Sequence, residues 1–205
     1  VKDNNLPDNS QDKSIVILFE SDVHCEVDGY PVLAGLRDAI DQADTAYTAI
    51  VSSGDFIQGE AIGALSHGEY IVDIMNSMGY SAITLGNHEF GYGVPQLKRL
   101  LEQFNAPVVS ANFFDVAEAR PMLPAYVIKE LGSVKVAFVG VTTPDTMKHQ
   151  AYSFYGENHE LHYAVWSHQI PPLIQAELGE TRSKDATYLE LFFPRVVEPY
   201  TSVPS

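Results

Sequence analysis

Three short stretches of this chain carry residues able to do chemistry, and they come in a fixed order. "SDVH" supplies Asp22 and His24, "SGD" supplies Asp55, and "GNHE" supplies Asn87 and His88. Carboxylate, imidazole and amide oxygen together suit manganese, zinc, iron or cobalt better than soft copper, and calcium would want fewer histidines. Asp22 and His24 stand two residues apart, so both can face one side of a chain leaving a strand and grip one ion. Asp55, from a neighbouring loop, can bridge two. Two divalent ions about 3.5 to 4 Å apart activate water and neutralise phosphoryl charge during in-line displacement, which makes phosphate ester hydrolysis the natural chemistry. Asn87 can ligate through its carbonyl oxygen without adding charge. His88 beside it can act as a general acid toward a leaving-group oxygen or as a phosphate-binding cation.

Singly, these stretches mean little: a D-x-H is an ordinary polar loop and a Gly-Asp turn is commoner still. "GNHE", however, is expected by chance in only about one in a thousand chains of this length. It also falls in order behind the other two, and the joint pattern carries the reading.

The elements that must position them alternate along the chain. "SIVILFE" (residues 14–20) is a nearly unbroken apolar run suited to a strand buried on both faces, and a helix-compatible segment at 32–43 follows it. "AYTAIV" then leads into the Asp55 loop, and "EYIVDIMNSMG" has apolar residues at helical spacing with Gly79 as C-cap. "SAITL" is a third strand. "VPQLKRLLEQF" puts Val94, Leu97, Leu100 and Leu101 on one helical face, and "APVVSAN" reads as a fourth short strand. "AYVIKEL" and "VKVAFVGV" flank the turn "GS" as a β-hairpin. In α/β sheets ligands bind at the carboxyl ends of the strands, where all three chemical stretches fall, so the sequence predicts their convergence on one site. After about residue 150 the chain loses clean periodicity.

The 205 residues suffice for one sizeable core, and an apolar fraction of 45% is ordinary for a globular protein. With 12 Lys+Arg against 27 Asp+Glu, the formal net charge of -15 is the wrong sign for nucleic-acid or membrane-surface partners. A lone cysteine, Cys25, excludes an intrachain disulfide framework. No run approaches the roughly 18 apolar residues of a membrane span, so a soluble chain is expected. No G-x-G-x-x-G or G-x-x-x-x-G-K-[ST] follows the first strand, which removes dinucleotide-binding and P-loop readings.

The three motifs, each after a strand, resemble those of the calcineurin-like metallophosphoesterases, and "GDFIQGE" with "GNHEFGYG" resembles the bacterial 5'-nucleotidase branch. The resemblance runs from about residue 14 to 146 and includes "VSANFF", "YVIKEL" and "VKVAFVGVTTPDT". It implies an α/β fold, a two-sheet sandwich flanked by helices, incomplete at its C-terminal side. It also implies two divalent ions (Mn, Zn, Co, Fe or Mg), with Asp22 and His24 on one, Asp55 as the bridge and Asn87 on the other. His88 would be the catalytic histidine, Glu89 and the glycines the frame of its loop, and Cys25 a bystander. A nucleotide or related phosphate ester is the implied substrate, and the extracellular space or cell envelope the implied location.

Two departures from the family pattern stand out. An aspartate is expected three positions after the catalytic histidine, to orient it, and this chain has Gly91 there. Later histidines in segments like "SHLG" and "GHxH" do not follow Gly140, and His149, His159, His162 and His168 do not sit at the ends of clear strands. The expected organisation is a polar lead over residues 1–13, the first part of the catalytic domain over 14–150, and an atypical tail over 151–205. The alternative to an active phosphoesterase is an impaired remnant that only binds metal or a partner.

Overall fold

A computed structural model of the protein describes residues 13–166 and 188–192. The polar lead, apart from Lys13, lies outside the described residues, as do His168 and much of the expected tail.

Strands β1 (Ser14–Glu20), β2 (Ala46–Ser52) and β3 (Ala82–Ile83) form a parallel sheet in the order β1-β2-β3. Helices α1 (Gly29–Ala43), α2 (Ala61–Ser66) and α3 (Glu69–Met78) fill the two crossovers. α1 starts earlier than the expected residue 32 because Pro31 falls in its first turn, where the missing N–H costs nothing. After β3 come α4 (Val94–Leu101), whose Val94, Leu97 and Leu100 are buried as its spacing predicts, and the short antiparallel pair β4 (Phe113–Asp115) and β5 (Arg120–Pro121). The expected hairpin follows as β6 (Tyr126–Leu131) and β7 (Val134–Gly140), joined through Gly132 and Ser133. Helix α5 (Thr146–His149) leads on to β8 (Tyr163–Val165), which returns to pair with β4, and β9 (Tyr188–Phe192) lies parallel to β7.

Side chains on successive strand residues point to opposite faces, and the parallel sheet uses both. One face sends Val16, Leu18, Ile50 and Ile83 toward Val72, Met75 and the other helical residues of the larger core. The other sends Ile15, Ile17, Ala49, Val51 and Ala82 against Val127, Val136 and Phe138 of the hairpin. That second contact makes the two-sheet sandwich. Val51 and Phe138 are both fully buried there, and each such side chain contributes about 1.5 to 3 kcal/mol relative to exposure.

The fourth strand expected over "APVVSAN" does not form as a regular strand. Only an isolated bridge joins Ile83 to Val108. The segment changes partners along its length: Val109 N–H donates to Ile83 O, then Ser110 N–H to Pro124 O and Ala111 N–H to Gly140 O. It crosses from one sheet of the sandwich to the other, and so pairs fully with neither. The small sheet β5-β4-β8 was not foreseen from periodicity, since its strands are only two or three residues long.

Candidate metal centre

The loops after β1, β2 and β3 lie side by side at the carboxyl end of the parallel sheet, and backbone hydrogen bonds lace the first two together. Asp22 N–H donates to Gly54 O (3.1 Å), His24 N–H to Asp55 O (2.8 Å), Cys25 N–H to Phe56 O (3.2 Å), and Glu60 N–H returns to His24 O (3.1 Å). The lacing requires an unusual backbone. Asp22, His24, Cys25 and Asp55 all have positive φ, between 49° and 65°, a conformation costly for residues with a Cβ.

The third loop is tied to the second by a buried carboxylate. Glu89 Oε2 accepts the N–H groups of Asp55 and Gly86 (2.7 Å each), while its Oε1 accepts that of Phe56 (2.8 Å) and, more weakly, Ile57 (3.4 Å). Burial, with the neighbouring charge of Asp55, pushes this carboxyl up to about 8, and the backbone donors pull the other way. Asp55 Oδ1 in turn accepts the N–H of His88 (2.8 Å). The loops approach so closely that a Cβ on Gly54 would overlap Gly86 N and sit 2.8 Å from its Cα. These two glycines therefore admit the contact that the carboxylates stabilise.

Within this frame Asp22, His24 and Asp55 each offer a ligand atom, and all three atoms lie within 4.8 Å of one another. Asp22 is exposed, His24 half-buried and Asp55 only 3% exposed, so the cluster opens to solvent from one side. Ser21 Oγ donates to Asp22 Oδ2. His24 Nδ1 lies 3.1 Å from the carbonyl oxygen of Gln58, which leaves Nε2 as its free donor atom. Asp55 has its carboxyl raised, first by burial and further by Asp22, with His88 opposing. Two carboxylates crowded together with an imidazole form a site that a divalent cation would relieve, and the donor types fit a hard-to-borderline ion. No other group of three or more His, Cys, Asp and Glu residues with this spacing occurs among the described residues.

Asn87 is half-buried and stands immediately before the short helical turn His88–Phe90, where its side chain makes no capping hydrogen bond. The ring of His88 meets that of His24 edge-on, with centroids 4.5 Å apart. Burial pushes its imidazole below the usual value, against the pull of Asp55. Cys25 is buried with Sγ 3.2 Å from Phe56 O, and burial pushes its thiol up to about 11, so it stays protonated and inert. His162 pairs at the surface with Glu160, 3.1 Å away. Gln58, whose side chain reaches His88, lies inside the "GDFIQGE" stretch, but the sequence alone assigned it no role.

A parallel sheet backed by a hairpin sheet, with acids and histidines gathered at its carboxyl end, defines an α/β sandwich carrying a candidate metal site. The calcineurin-like phosphoesterase family matches residues 15–185, most of the chain, and the protein belongs to that family. It is similar to the 5'-nucleotidase of Vibrio vulnificus, 32% identical over 147 residues that make up 72% of this chain and 26% of that protein. The Bacillus subtilis protein named endonuclease YhcR is 35% identical over 115 residues, 50% of this chain and 9% of that one. Among solved structures, calcineurin-like phosphoesterase YfkN from Bacillus subtilis has the same fold, with a TM-score of 0.71 at 23% identity over 89% of this chain and 62% of that one. The α/β sandwich and the family read from the motifs are thus borne out. The chain spans about a quarter or less of the length of these two curated relatives.

Proposed function

We propose that the protein is a metal-dependent phosphoesterase of the 5'-nucleotidase type, with Asp22, His24, Asp55 and Asn87 as metal ligands and His88 as the catalytic histidine. The observation that carries this reading is the gathering of Asp22, His24 and Asp55 within 4.8 Å on a backbone held in a costly conformation. Strain of this kind persists where the surroundings over-determine it, as the Glu89 hydrogen bonds do here.

Divalent ions bound there would supply charge neutralisation at the phosphoryl group and activation of water. Asp55, at the centre of the three loops, is the residue suited to bridge two ions, and Asn87, next to His88 in the chain, would add a neutral oxygen ligand. His88 is held to Asp55 through its backbone N–H, which fixes the proton-handling ring beside the ligand set. A nucleotide or a related small phosphate ester is the proposed substrate. The net charge of -15 opposes a long polyanion, which sets this chain apart from a nuclease reading. The proposed location is the extracellular space or cell envelope; no helix among the described residues is long and apolar enough to cross a membrane.

The test is hydrolysis of AMP, an aryl phosphate and single-stranded DNA with Mn, Co, Zn or Mg, in the protein and in Asp55→Ala. Metal-dependent release of phosphate from AMP, lost in Asp55→Ala, is expected. Hydrolysis that survives Asp55→Ala would overturn the assignment, cleavage of DNA in preference to AMP would overturn the substrate class, and calorimetric metal binding without turnover would favour a metal-binding module.

A further inference from the structure

The loop after β2 carries Gln58, half-buried, which touches both histidines of the site. Its backbone carbonyl lies 3.1 Å from His24 Nδ1 and its side-chain Oε1 lies 2.9 Å from His88 Nδ1. The backbone carbonyl only accepts, so His24 presents Nδ1–H to it; with the Gln58 amide turned so that Oε1 faces His88, that ring does the same, and each is left with Nε2 facing away from Gln58. One residue thereby determines which nitrogen of each ring is free for chemistry.

The side of His88 on which Gln58 sits is open because position 91 is glycine. A Cβ there would overlap Gln58 Oε1 and come within 2.5 Å of its Cδ and 2.6 Å of its Nε2. The carboxamide occupies the volume in which a side chain from position 91 would begin, so the two cannot stand there together. We infer that Gln58 is the positioning residue of His88, holding the imidazole in its Nδ1–H tautomer from a loop thirty residues earlier in the chain, and that Gly91 serves to admit it. An amide fixes ring orientation and tautomer as an acid would, yet brings no negative charge to support an imidazolium. The absence of an aspartate at position 91 therefore alters how His88 is held, without leaving it unheld. This inference rests on the reading of His88 as the catalytic histidine for its functional weight, while its geometry stands apart from that reading.

The experiment is nitrogen NMR of the metal-free chain with 15N-labelled histidine, at a pH where the rings are neutral, for the protein, Gln58→Leu, Gln58→Glu and Gly91→Ala. In the unsubstituted protein His88 should show a protonated Nδ1 and an unprotonated Nε2. Gln58→Leu should shift His88 toward the Nε2–H form, Gly91→Ala should do the same by crowding the carboxamide away, and Gln58→Glu should retain Nδ1–H. His24, whose partner is the backbone carbonyl, should keep Nδ1–H in Gln58→Leu and so report that the loop is still folded. A His88 pattern unchanged in both Gln58→Leu and Gly91→Ala, with His24 intact, would overturn the inference, as would a protonated Nε2 in the unsubstituted protein. None of these readings needs metal or turnover, so they remain decisive if the phosphoesterase assignment fails. With metal and AMP, Gln58→Leu should lose about 10- to 100-fold in kcat with KM little changed; an undiminished kcat would contradict the role.

Discussion

The face of the parallel sheet that packs on the hairpin and the carboxyl end of the same sheet differ in what holds them. Where the sheet packs on the β6–β7 hairpin, the contact is mainly apolar: Val51, Ala82, Val109 and Phe138 are fully buried, and the one buried hydroxyl beside them, that of Thr84, donates to Val109 O. At the carboxyl end the buried residues include Ser52, Ser53, Asp55 and Glu89, and four non-glycine residues adopt left-handed backbone. The first region is held by area, and any side chains of suitable size and pattern would serve. The second is held by directed hydrogen bonds, where one missing acceptor strands several donors. The first region should therefore tolerate volume-conserving substitution far better than the second.

Substitutions should separate the two regions. The largest effect on stability should come from Phe138→Ala, which empties the sandwich: about 3 to 5 kcal/mol is expected, read from the urea midpoint, with metal affinity of the folded fraction unchanged. A loss of metal affinity in step with stability would show that the two regions are not separable. Measured above pH 8, where the Glu89 carboxyl is ionised, Glu89→Gln should cost less, about 1 to 3 kcal/mol, because one carboxylate oxygen that accepts backbone N–H groups becomes a donor. In this case metal affinity should fall too, since the loops bearing Asp55 and His88 share that acceptor. Calorimetry finding full affinity in Glu89→Gln would remove Glu89 from the account of the site.

A smaller effect concerns pH. Glu20, at the end of β1, has its carboxyl pushed up to about 7 by burial, with Tyr80 donating to it at 3.1 Å. The folded metal-free chain thus holds a proton on Glu20 that the unfolded chain releases near 4.5. Its contribution is fully present below that value and is lost as pH rises toward 7. The melting temperature of the metal-free protein should therefore decline by a few degrees across this window relative to Glu20→Gln, in which the slope is flatter. Identical slopes in the two proteins would show that Glu20 ionises as freely folded as unfolded.

Much of this was legible in the sequence where local pattern decides structure. The 14–20 run became β1 with those bounds, but as the edge strand of its sheet, with only Leu18 buried and Phe19 exposed, it is not buried on both faces as its composition suggested. The spacing of Val94, Leu97 and Leu100 became the buried face of α4, and the hairpin turned at Gly132 and Ser133. The gathering of Asp22, His24 and Asp55 was legible as well, because strand-end loops in a parallel sheet must lie together. Partner choice over long separations was not. "APVVSAN" has strand composition, yet its backbone divides its bonds between two sheets. Gly91 looked like the loss of an orienting acid, and the group beside His88 proved to be Gln58, placed there by the lacing of two loops. Glu89 was recognisable as part of the loop frame, but its four backbone donors come from residues that only the folded chain brings to it.

Asp22, His24 and Asp55 are proposed to form a divalent-metal site. Crystals grown with manganese, measured at a wavelength where that ion scatters anomalously, test it most directly. An anomalous peak is expected about 2.0 to 2.3 Å from an Asp22 oxygen, an Asp55 oxygen and His24 Nε2. A peak elsewhere with these three side chains unliganded, or a cluster left empty at saturating manganese, would contradict it.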